Sequence, residues 1–210
     1  MKILAHALTA GVLIVAAPVA FAAAAPKPAP KPINDTFTFE FAPEWGAVSP
    51  YAYKDSVPKI GWSHSLGNGW AFGLSLADTV KVNNTNVLQP EGTLGYKYKL
   101  DALSLGLSAG LGYASAGVGA GSGIADGYYV VSGTVDLKLS SQWTWNAINA
   151  RYRNAFSTTW ITPKISTGVT YTFDSHNSTY ANVGYSWKQV TGTGLLADKI
   201  SLAVGYKYGF

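Results

Sequence analysis

Leu103-Ser104-Leu105-Gly106-Leu107-Ser108-Ala109-Gly110-Leu111-Gly112-Tyr113 alternates without a break. In a β-strand successive side chains point to opposite faces. One face of this segment therefore carries Leu103, Leu105, Leu107, Ala109, Leu111 and Tyr113, and the other carries only serine and glycine. A helix would scatter both sets around its circumference. The same period of two returns along the chain. Thr36–Phe41 sets Phe37, Phe39 and Phe41 against Thr36, Thr38 and Glu40. Trp70–Ala77, Thr93–Leu100, Tyr128–Leu139, Ile161–Phe173, Ala181–Lys188 and Lys199–Phe210 behave alike, and no stretch after the N-terminal run has a helical period.

Alternation alone does not distinguish a soluble barrel or sandwich from a membrane barrel, because each has one apolar and one polar face. The polar phase decides. It consists mostly of Gly, Ala, Ser and Thr, whereas a water-facing surface carries abundant Lys and Glu. Charged residues make up only 12% of the chain, and aromatic residues 13%. Tyr, Trp and Phe gather near strand ends, as an interfacial girdle requires. The expectation is an all-β, antiparallel, up-and-down transmembrane β-barrel. The absence of Cys excludes disulfides, thiolate metal sites and Cys nucleophiles. A net charge of +4 is too small to point to nucleic acid.

The chain divides into three parts. Residues 1–22 read as a secretory signal peptide: Lys2 precedes an apolar run from Leu8 to Phe21, and Ala20-Phe21-Ala22 has the form of a cleavage site, with later sites up to Ala25. Residues 23–33 include the alternating Pro26–Pro32 stretch and read as an extended periplasmic tail. Residues 34–210 would form the barrel.

Short turns fall at Gly67-Asn68-Gly69, Asp101-Ala102, Ser140–Gln142 and Asp174–Asn177. Longer links fall at Ala42–Asp55, Lys81–Pro90, Ala114–Asp126, Asn154–Trp160 and Gln189–Ala197, which implies ten strands with both termini on the short-turn side. Eight strands remain the alternative, with Ser56–Leu66 or Trp143–Arg153 merged into loops. In the latter segment, strict alternation that sends Trp143 and Trp145 to lipid also sends Arg151 and Arg153 there, and a bulge between them would repair the conflict.

The C-terminus carries a second signal. Phe210 is terminal, Tyr208 lies two before it and Gly205 five before it. This pattern resembles the assembly signal of the bacterial outer-membrane β-barrel superfamily, although Ala203 stands where that pattern prefers a polar residue. The resemblance implies a Gram-negative outer-membrane location among lipid and lipopolysaccharide. It also implies transit with periplasmic chaperones and insertion by the barrel assembly machinery.

The inward phase is basic. Lys59, Lys97, Lys99, Lys138, Arg151, Arg153, Lys164, Lys188, Lys199 and Lys207 fall in it, against Glu40 and Asp136. Such an interior would favour anions if it is open. His64 falls on the apolar phase and His176 in a short turn, so neither forms a pair with a nucleophile. No ligand cluster points to a metal, and no cofactor or catalytic residue is expected. The expected function is a small porin or channel, weakly anion-preferring, that passes small or acidic solutes. The alternative is a non-conducting structural or adhesive surface barrel.

Overall fold

The computed structural model describes residues 34–82, 86–115, 125–190 and 193–210. The expected signal peptide and the whole of the proline-rich tail lie outside the described residues, as does most of the Ala114–Asp126 link.

Ten strands form: β1 (Asp35–Gly46), β2 (Tyr53–Gly67), β3 (Trp70–Lys81), β4 (Asn86–Leu100), β5 (Leu103–Ala114), β6 (Asp126–Lys138), β7 (Trp143–Ala155), β8 (Lys164–Thr172), β9 (Asn177–Val190) and β10 (Gly194–Gly209). Each pairs antiparallel with its sequence neighbours, and β1 pairs with β10, from Thr36↔Gly209 to Gly46↔Lys199, to close the barrel. The eight-stranded alternative fails because both doubtful segments, β2 and β7, are fully paired strands. The closed ladder leaves no unpaired edge, which is what a spanning sheet needs where water is absent.

Several strands run further than the sequence pattern indicates. β1 continues through Pro43 to Gly46, β4 begins at Asn86 and runs through Pro90, and β10 begins at Gly194. Proline removes one ladder hydrogen bond and reads as a breaker, but a long ladder tolerates the loss. The β1–β10 register accordingly passes from Phe41↔Val204 to Glu44↔Ser201. β8 is shorter than expected. Ile161 makes only an isolated bridge to Asn154, and regular pairing starts at Lys164, just after Pro163.

The β7 conflict is resolved by a bulge. Val135 pairs with Ile148 while Asp136 pairs with Asn146, so Ala147 is the extra residue. Trp143 and Trp145 stay outside, and Arg151 and Arg153 turn inward.

The distribution of apolar surface is the inverse of a soluble fold. Leu107 is 65% exposed, Leu111 64% and Phe39 55%, and the other outward residues follow them around the wall. A continuous surface of this kind is stable against hydrocarbon, not water. Two aromatic belts border it. On the short-turn side Trp70 packs on Tyr96 at 5.3 Å, Trp143 on Tyr171 at 4.8 Å and Phe37 on Phe210 at 5.4 Å. On the long-loop side Tyr185 packs on Trp187 at 4.8 Å, and Trp45 on Tyr53 at 6.3 Å.

Candidate functional site: the barrel lumen

Small inward residues leave room inside, and two large rings use it. Tyr128 lies over Gly112 and Tyr180 over Gly205, so close that a Cβ at either glycine would collide with the ring. Tyr128 is fully buried and gathers Val87, Ala114, Val130 and Ala155 into a small apolar cluster inside the wall. Trp160, from the β7–β8 connection, closes over it at 5.3 Å.

Polar side chains cross the remaining space. Arg153 of β7 reaches Glu91 of β4 at 2.6 Å and Gln89 at 3.0 Å, and its guanidinium stacks 5.0 Å from the Tyr128 ring. The Tyr128 hydroxyl donates to the same carboxylate at 3.1 Å. On the other wall Lys199 of β10 bonds Glu44 of β1 at 2.8 Å and Asp55 of β2 at 2.7 Å. Lys164 of β8 stands 3.8 Å from Glu44. The Tyr180 hydroxyl donates to Glu40 at 2.6 Å, and Lys207 sits 4.9 Å from the Tyr180 ring. Toward the short turns Lys97 pairs with Asp136 at 2.7 Å, and Asn146 donates to Asp136 at 3.0 Å. Some of these partners lie on neighbouring strands, as Lys199 with Glu44 and Asn146 with Asp136 do, but Arg153 with Glu91 and Lys164 with Glu44 join strands three positions apart and so reach across the interior.

The basic residues read from the sequence therefore divide into groups. Arg153, Lys97, Lys164 and Lys199 are paired inside. Lys188 pairs at the long-loop rim with Asp198 at 3.4 Å, beside Lys54 at 3.1 Å. Lys99 and Lys138 are exposed at the short-turn rim. Lys59, Arg151 and Lys207 have no carboxylate at ion-pair distance among the described residues.

The sequence reading missed four inward carboxylates, Glu44, Asp55, Glu91 and, at the long-loop end of β6, Asp126. The first two fell in a stretch assigned to a loop, and Glu91 stood beside Pro90 at the edge of another. The interior is thus less one-sided than the count of Glu40 and Asp136 implied. Continuing the alternation of Phe37, Phe39 and Phe41 through Pro43 to Trp45 would have placed Glu44 inward.

The two histidines of the barrel lie at its short-turn end. His64 faces outward beside Trp62, with Nδ1 3.0 Å from the Asp35 carboxylate, which also accepts the Trp62 indole N–H at 3.0 Å. His176 Nδ1 lies 2.6 Å from the Gly209 carbonyl, which fastens the β8–β9 turn to the last strand. In that turn Asp174 accepts the backbone N–H groups of His176 and Asn177 and the Asn177 amide. These hydrogen bonds, the Asn177 amide first, hold its carboxyl below the usual carboxylate range.

No family model and no curated protein sequence matches the chain. Solved structures do. The NanC porin superposes with a TM-score of 0.50 at 12% identity, covering 82% of this chain and all of that one (100%). The KdgM porin gives 0.45 at 16% identity, covering 82% and 99% of the two chains, and Neisserial surface protein A gives 0.42 at 14%, covering 84% and 97%. At such identities the likeness to NanC is a likeness of fold alone, a closed antiparallel β-barrel.

Proposed function

We propose that the chain is a small porin-like barrel of the bacterial outer membrane, which passes small or acidic solutes with a weak preference for anions. The observation that carries this reading is a lumen lined by small polar residues inside an apolar wall, in which basic groups outnumber carboxylates. Lys59, Lys97, Arg151, Arg153, Lys164, Lys199 and Lys207 stand against Glu40, Glu44, Asp55, Glu91, Asp126 and Asp136. Low-dielectric walls strengthen the field of the unpaired cations and concentrate counter-ions between them. The lumen-lining lysines and arginines named from the sequence are its working residues, and Gly205, Tyr208 and Phe210 its assembly signal. It uses no cofactor. Its partners are lipid and lipopolysaccharide, periplasmic chaperones and the barrel assembly machinery.

The ion pairs that cross the interior favour a second reading, a structural or adhesive barrel without conductance. Small barrels fill with side chains. Reversal potentials in a salt gradient across planar bilayers separate the two. Anion selectivity that strengthens at low salt supports the first reading, cation selectivity removes the charge argument, and the absence of any conductance selects the second.

A further inference from the structure

Arg151 and Lys164 face each other directly across the β7–β8 ladder, both pointing inward. Like charges in this position repel, so a sheet that places them there needs something to offset the cost. The protein supplies little. Lys164 has only Glu44 at 3.8 Å, and Glu44 is engaged more closely by Lys199 at 2.8 Å. Arg151 has no carboxylate at ion-pair distance among the described residues, and its Nε is sealed from solvent without a hydrogen-bond partner.

The surrounding carboxylates are committed elsewhere. Glu91 is held by Arg153 and Tyr128, Asp55 by Lys199, and Glu40 by Tyr180. A buried charge left without a partner is strongly unfavourable. A guanidinium with a vacant edge beside an ammonium is matched by an oxyanion, since its planar fork takes two oxygens of a carboxylate or phosphate.

We propose that Arg151 and Lys164 form a binding site for one small oxyanion, a carboxylate or phosphate group, in the interior of the barrel. The inference rests on the anion-preferring reading of the lumen and deepens it. A permeating solute would be held at this level by its acidic group, and the anion would relieve the repulsion between Arg151 and Lys164.

The test is calorimetric titration of the folded full chain in detergent at low ionic strength, with sodium acetate in one arm and inorganic phosphate in the other. Saturable binding of one equivalent is expected in at least one arm, and the arm that binds identifies the group. Arg151→Gln should weaken it at least tenfold, Arg151→Lys should recover most of it, and Lys54→Gln at the long-loop rim, outside the lumen-lining set, should leave it within twofold. Heat-modifiable mobility checks that each variant is folded. No saturable binding in the wild type, or equal binding by Arg151→Gln, overturns the site. Binding without conductance leaves the site standing and removes the porin reading. Conductance without binding removes the site alone.

Discussion

Trp160 packs edge-on against Tyr128, ring centroids 5.3 Å apart at 73°, and so ties the β7–β8 connection to the inner wall of β6. The tie is reinforced at the connection's base, where the Ser157 N–H donates to Asp126 at 3.1 Å and the Ala155 N–H to the Trp160 carbonyl at 3.0 Å. Aromatic pairs of this kind contribute about 0.5–1.5 kcal/mol beyond burial. Trp160→Ala should loosen residues 156–163 without unfolding the barrel. Limited proteolysis of the folded protein should cut there several-fold faster, and in a conducting barrel the open-state current noise should rise. Unchanged cleavage would show that the backbone bonds alone hold the loop.

The Glu91 carboxylate is shared by Arg153 and Tyr128. Glu91→Gln leaves the Arg153 guanidinium buried with a neutral partner, and removal of one member of a buried pair costs about 3–5 kcal/mol. Urea unfolding in lipid vesicles should register a loss toward the lower end, because Gln89 still bonds the guanidinium. Adding Arg153→Met should recover part of that loss. A double variant as unstable as the sum of the two single ones would show that the pair does not interact.

The two faces should differ in their tolerance of charge. Leu107 is 65% exposed on the outer wall at mid-strand, and Ser108 points inward beside it. Leu107→Arg should cost about 2–4 kcal/mol in a bilayer. Ser108→Arg should cost less in lipid partitioning and should narrow the lumen. Equal costs in vesicle-based unfolding would contradict the assignment of faces.

Asp174 gives the short-turn end a pH dependence. Its folded-state pKa is lowered, chiefly by the Asn177 amide and the His176 backbone N–H. The turn's contribution is therefore complete above the ordinary carboxylate pKa, about 4, and disappears as pH falls through the lower folded value. Backbone amide exchange at His176 and Asn177 should accelerate in that acid window, after correction for its intrinsic pH dependence. Asp174→Asn should remove the dependence. Acid-independent protection in the wild type would count against it.

The fold was legible because a barrel wall repeats one local rule. Alternation in Leu103–Tyr113 already fixes which residues face hydrocarbon, and the opposed demands of Trp145 and Arg151 already require an interruption between them. The interior was less legible for two physical reasons. Proline at positions 43 and 90 reads as an end of pairing, yet each strand continues past it and carries Glu44 and Glu91 inward. Arg153 with Glu91, 62 residues apart in sequence, joins strands that are not neighbours, and such a contact leaves no trace in local spacing.

Ala147 acts as a parity switch. A period of two carries a single bit of information, inside or outside, and the extra residue inverts that bit once along β7. Deleting it would restore a regular strand and give it the wrong meaning at one end, with either the two tryptophans in the polar interior or the two arginines in hydrocarbon. Insertions or deletions of two residues would preserve parity and shift only the register. Along this strand the number of residues matters modulo two, and length variation in β7 should be tolerated in even steps and refused in odd ones.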